Sequence, residues 1–173
     1  MKTSLKLLAF LFAFSAGISS LAAATPNLSK PTAKYWHLWV DSEGKSHMTQ
    51  CAMGDFVLQS MNKPADPQWQ DRQSGNGRVI FTIQPAQWKG TWHEDPKVQW
   101  VVPLDGTWFV EAQDGTRAEM GPGVAFLGED LQTKPDAQGR KGHLSGNIGD
   151  GPVTLIVVQT DAMPTRNQPC HVK

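Results

Sequence analysis

The chain has 173 residues and a mass of 19.0 kDa, room for one domain with a sizeable core but not for two enzyme-sized ones. Sixteen basic side chains balance sixteen acidic ones, which excludes a global electrostatic attraction to nucleic acid or to an anionic bilayer. Seven tryptophans, 16 glycines and 12 prolines suit a turn-rich β protein better than a helical bundle.

At the N-terminus, a basic stretch from Met1 to Lys6 precedes the apolar run Leu7 to Phe14 and the small residues Ala22-Ala23-Ala24. This order reads as a secretory signal peptide, residues 1–24, cut near Ala24. Ser15, Gly17, Ser19 and Ser20 interrupt the apolar run, which falls short of the roughly 20 residues a span needs, so stable membrane insertion is not expected. Cleavage removes Lys2 and Lys6 and no acid, so the zero formal charge becomes −2. Export to the periplasm or the medium places Cys51 and Cys170 in an oxidising compartment, where the pair reads as a disulfide. Such a bond closes a loop of about 120 residues, worth on the order of 4 kcal/mol in chain entropy.

Residues 25–34 read as an extension and 35–161 as the folded domain. Strands are predicted at Tyr35–Val40, Ser46–Ala52, Asp55–Met61 and Arg78–Ile83, with a long surface loop from Asn62 to Gly77. Further strands follow at Val98–Leu104, Thr107–Gln113, Val124–Leu127, His143–Asn147 and Val153–Gln159, separated by turns at Asp105-Gly106, Asp114-Gly115 and Gly149-Asp150-Gly151. Residues 162–173 are left as a C-terminal tail. With no helical period after residue 24, the expectation is an all-β antiparallel sandwich or barrel.

The segment from His93 carries the motif. His93-x-Asp95-x3-Gln99-x6-Gly106 has the spacing of the first cupin motif, with Asp in place of its second His and Gln in place of its Glu. Gly121-Pro122-Gly123 and Gly142-His143 resemble the two ends of the second motif. The run Asp41 to His47, Trp92 to Gln99, Asp114 to Arg117 and Glu129-Asp130 to Gly142-His143 resembles a family of small bacterial cupin-like proteins, largely of undefined activity. The chain departs from that pattern at Lys97-Val98, at Val124 and in extra residues around Lys134 to Gln138. The resemblance implies a jelly-roll barrel of two packed antiparallel sheets; it implies no reaction.

The chemistry is read from the side chains. Residues two apart on a strand share a face, so His93 and Asp95 point inward together and His143 reaches them from a later strand. Two histidines and a carboxylate suit a divalent metal (Fe, Mn or Zn), with Gln99 as a neutral fourth ligand. The 2-oxoglutarate dioxygenases use a similar set, but Asn147 to Val157 holds no basic residue for a co-substrate carboxylate, so that chemistry is not expected. The alternative is a metal-free polar pocket with Glu129, Asp130 and His143 as acid–base candidates. Trp92, beside His93, is a candidate to stack on a sugar or flat aromatic ligand, whereas Trp100 and Trp108 read as core. His37 and His47 read as pocket or surface histidines, and His171 as without a specific role. Arg117, Arg140 and Lys141 are candidates for a small anion patch. Three functions stay open: binding of a small organic molecule at Trp92, His93, Gln99 and His143; a metal-dependent enzyme built on His93, Asp95 and His143; and a non-catalytic structural or sensory protein. A homodimer fits each.

Overall fold

The computed structural model describes residues 29–173 except residue 74; the signal peptide expected at residues 1–24 lies outside the described residues. Eleven strands and no helix make up the described chain: β1 (Ala33–Val40), β2 (Ser46–Met53), β3 (Val57–Gln59), β4 (Gln68–Gln70), β5 (Gly77–Gln84), β6 (Gln99–Asp105), β7 (Thr107–Ala112), β8 (Arg117–Met120), β9 (Ala125–Gly128), β10 (His143–Ile148) and β11 (Val153–Thr160). The expected long loop contains β4, which pairs with β3 in a small separate ribbon. The turn at Asp114-Gly115 leads into β8, whose Arg-Ala-Glu-Met sequence alternates polar and apolar in step with its burial but over four residues only, the shortest run that can announce a strand.

Two sheets pack face to face. The larger has the order β2-β1-β9-β6-β11-β5 and the smaller β10-β7-β8. The segment 88–93 extends the smaller sheet through bridges Lys89↔Gly146 and His93↔His143. The sheets stay separate, so the architecture is an open sandwich rather than a closed barrel. Nor are all pairings antiparallel. β9 returns from the small sheet into the gap between β1 and β6 and runs parallel to β1, with Tyr35 opposite Ala125 and Leu38 opposite Gly128.

Alternation divides the side chains of the large sheet between two environments. Leu38 and Val40 of β1, Met48 of β2, Val101 of β6, Phe126 of β9 and Leu155 of β11 are buried, and most of these meet Trp108, Val110, Ala112 and Met120 of the small sheet in the main core. On the outer face, Tyr35, Leu127 and Cys51 form a second cluster with Val98 and Val172. The C-terminal residues cover that cluster. Cys170 is disulfide-bonded to Cys51, as the pair's compartment suggested. The Tyr35 hydroxyl donates to the Val172 carbonyl at 3.0 Å, and the Asp55 N–H to the Lys173 carbonyl at 3.0 Å. What reads in sequence as a loose tail is part of the fold.

Candidate functional site

The site is set by four backbone elements. β10 begins at His143, whose N–H and carbonyl both pair with His93 across the two segments at 2.8 and 2.9 Å. Gly142 makes this approach feasible: its φ is +73° and a Cβ there would overlap the His93 carbonyl. Asp95 follows two residues after His93, Gln99 opens β6, and Asp130 lies just past the end of β9.

His93, Asp95, Gln99 and His143, the residues singled out by spacing, line one cavity of about 150 Å³ between the sheets. Its other walls are Thr82 and Gln84 of β5, Ser145 of β10, Val101, Leu155, Val157, and the indoles of Trp88 and Trp108. That volume lies below the range of about 300–1,000 Å³ usual for drug-sized ligands, so the cavity suits a molecule of only a few non-hydrogen atoms. Larger depressions, near Arg78 and Lys97 (about 280 Å³) and near Lys89 and Asp150 (about 480 Å³), open on the surface and gather no comparable set of buried groups.

Asp130 is the organising group. One carboxylate oxygen accepts from His143 Nδ1 at 2.7 Å and the other accepts the Asp95 N–H at 2.8 Å. Burial alone would lower the His143 pKa, but the charge of Asp130 and its hydrogen bond, with a lesser contribution from Asp95 in its ionised form, outweigh it and raise the value to about 9. His143 is therefore an imidazolium at neutral pH, with Nδ1 held by Asp130 and Nε2 as its remaining ring nitrogen. Asp95 is pushed the other way. Burial and then the neighbouring charge of Asp130 hold its pKa well above the usual carboxylate range. Gln99 Nε2 donates to Asp95 Oδ1 at 2.5 Å, so the acid proton belongs on Oδ2. That oxygen is buried with no partner within 3.5 Å and packs on the backbone of Gly128, where any Cβ would overlap it; the nearby Asp130 carboxylate, as an acceptor, adds to the pull that keeps Asp95 protonated. Two further polar atoms on cavity-lining residues, Trp108 Nε1 and Gln84 Oε1, are likewise buried and unpartnered.

Several sequence candidates fall outside this cavity. Trp92 sits at a bend beside His93; it stacks beneath the Arg140 guanidinium at 4.6 Å and lines no part of the cavity. The indoles that do line it, Trp88 and Trp108, carried no motif. Arg140 is also bonded to Asp136 at 2.6 Å, Lys141 faces Glu94 at 3.3 Å, and Arg117 lies over the Phe109 ring at 3.6 Å, so these three cations are engaged separately and form no joint anion patch. His47 lies between Asp41 and Asp114, at 2.8 and 2.9 Å, stacked on Trp39, where it ties β2 to the β7–β8 turn.

Glu129, taken in sequence as a partner of Asp130, points to the opposite face. A single oxygen, Oε2, accepts from His37 Nε2 (3.0 Å), His171 Nε2 (2.9 Å) and the Thr165 hydroxyl (2.7 Å). The Cys170 N–H donates to His37 Nδ1 at 3.2 Å, so Nε2 of that ring carries the proton. Burial acts to raise the Glu129 pKa, and the hydrogen bonds from His37 and Thr165 with the charge of His171 overcome it and hold the carboxyl below its ordinary value. His171, read as idle in sequence, is one of the three groups that lock the tail.

Among the described residues, two groups could by distance alone hold a metal, His37/Glu129/His171 and Asp95/Asp130/His143, each with three donor atoms within 4.8 Å. In the first, the lone pair of His37 Nδ1 is already taken by Cys170 N–H, which leaves Nε2 protonated and unsuited to a metal. In the second, an ion would have to displace the Asp95 proton and compete with the bond between His143 and Asp130. In the four-residue set His93, Asp95, Gln99, His143, Gln99 turns its amide nitrogen to Asp95, whereas His93 Nδ1 donates to the Thr91 carbonyl at 2.7 Å, the tautomer that leaves its Nε2 lone pair free for a ligand or an ion.

No family model and no curated protein matches the chain. Among solved structures it is similar to the protein NMB1881 from Neisseria meningitidis, at 11% identity and a TM-score of 0.33, over 53% of this chain and 89% of that one.

Proposed function

We propose that this chain is an exported cupin-like protein whose inter-sheet cavity binds a small polar organic molecule. The carrying observation is the set of three buried, unpartnered polar atoms, Asp95 Oδ2, Trp108 Nε1 and Gln84 Oε1, on residues that line one cavity beside the His143–Asp130 pair. Buried polar groups are almost always satisfied, and three orphans on residues that wall one space are satisfied when a polar guest with acceptors and a donor enters and these side chains turn to it. Val101, Leu155, Val157 and Trp88 offer its carbon skeleton an apolar wall. Export rests on the leader-like residues 1–24 and is supported by the Cys51–Cys170 disulfide. Trp88 and Trp108 provide the readout. Titration with short hydroxy acids, alcohols and amides should change the intrinsic fluorescence, and Asp95→Leu, which removes the polar wall while keeping an apolar one, should abolish the change. Indifference of the wild type to the whole series would sink the proposal.

A metal-dependent enzyme is the second reading, favoured by the 4.8 Å grouping of Asp95, Asp130 and His143. Elemental analysis separates the two: stoichiometric Fe, Mn or Zn in the purified protein, lost in the His93→Ala/His143→Ala variant, would replace the metal-free account.

A further inference from the structure

The outer face of the large sheet is finished on one half only. Over β2, β1 and β9 it carries Tyr35, His37, Cys51 and Leu127, and the C-terminal residues cover them. Over β6, β11 and β5 the same face continues without a cover. The registers place Val102, Ile156 and Phe81 in one row across the three strands, Trp100, Val158 and Val79 in the next, and Thr154 beside Ile83 in a third, with Leu104 at the end of β6. Thr154 is the one polar residue of the set. Val79, Phe81, Ile83 and Leu104 are 57%, 70%, 69% and 47% exposed, whereas the opposite face of β5 turns Thr82 and Gln84 into the cavity. β5 is also a sheet edge eight residues long, with Arg78 its only charge and no proline or lysine to deter pairing.

We propose that this bare half, centred on Val79, Phe81, Ile83, Val102, Leu104 and Ile156, packs against the same face of a second copy of the chain about a two-fold axis. Three arguments select that occupant. The four most exposed side chains offer on the order of 500 Å² of apolar surface, well over half of the ~800 Å² each partner contributes to a standard interface, before the half-buried neighbours are counted. A face with no charged side chain presents no like-charge barrier to its own copy. An isologous contact uses one patch twice and closes at two subunits, which removes an open-ended edge without building a fibre. The packing also backs the strand that walls the cavity, so the dimer would hold Thr82 and Gln84 in place from behind.

The test is the solution mass of protein purified from the exported fraction, measured by analytical ultracentrifugation across the micromolar range. The wild type should sediment as a dimer. Phe81→Glu should weaken association by about 30-fold or more, the effect of losing a central anchor, while keeping its near-ultraviolet circular dichroism and its disulfide. Ile83→Lys should act in the same direction, and Met163→Glu, a still more exposed apolar position on the tail, should leave the dimer intact. A monomeric wild type, a dimer unaffected by both β5 substitutions, or a monomer that instead partitions onto lipid vesicles would each overturn the proposal.

Discussion

Glu129 and Asp130 are adjacent in sequence and serve two unlike regions of the molecule. Both are buried carboxylates bonded to histidine, and both follow the last residue of β9. Glu129 faces the outer side, where three donors converge on one oxygen and no side-chain atom of the cluster is among the buried, unpartnered ones. Asp130 faces the space between the sheets, where its pair with His143 is complete but the groups around it are not. The difference teaches that a His–carboxylate contact does not by itself mark a site. A fully satisfied cluster on a chain terminus is a clamp, and a cluster bordered by orphaned polar atoms is a place for a guest.

The contrast can be broken or sharpened by stability measurements. The largest effect is expected from Cys51→Ser/Cys170→Ser, which frees the tail: about 4 kcal/mol by chain entropy, or a fall in Tm on the order of 10 °C, read by calorimetry. A loss under about 1 kcal/mol would mean that the clamp holds without its covalent link.

Next comes the cavity pair. The His143 pKa is raised above its unfolded value of 6.5 to about 9, so its contribution is complete below about pH 6 and disappears as pH rises through 9. Asp130→Asn should therefore cost up to about 3 kcal/mol at pH 6 and little at pH 10, measured by urea unfolding. The clamp should show the opposite window. Glu129 is held below its ordinary value of 4.5, so its contribution is present at neutral pH and lost as pH falls through the acid range. Glu129→Gln should cost about 1–3 kcal/mol at pH 7, with the gap to wild type narrowing below about pH 4. Matching pH profiles for the two variants would erase the distinction between the regions.

The smallest effect has the reverse sign. Asp95 is kept protonated by burial and by Asp130, and a raised carboxyl pKa means stability that declines as pH climbs above 3.8. Asp95→Asn, which mimics the neutral acid, should stabilise the protein by roughly 0.5–2 kcal/mol at neutral pH, the usual gain when a group held for function is replaced, and should confer nothing near pH 3. Destabilisation at pH 7 would instead mark Asp95 as a structural acceptor like Glu129.

Much of this arrangement is legible in the chain. The H-x-D-x3-Q spacing and the distant Gly142-His143 point to four residues that do line one cavity, because strand alternation and a bridge between the two segments leave few other ways to place them. Trp92 adjoins His93 in sequence, but a bend there carries its indole to Arg140 instead of the cavity. Trp88, Trp108 and Gln84 carry no motif; they enter the wall because β5, β7 and the segment before His93 happen to flank one space, a matter of packing with no local signature.

By itself, then, the sequence determined the all-β class, most strand positions, the cysteine pairing and the residues that converge from the His93 segment and β10, since those depend on periods, turns and spacing within short stretches. Only the tertiary structure decided that β9 lies parallel to β1, that the sheets stay open, and that Glu129 and Asp130 part company. The physical reason is that a carboxylate's role depends on which donors surround it, and His37, Thr165 and His171 come to Glu129 from segments up to 92 residues away, beyond the reach of any local pattern.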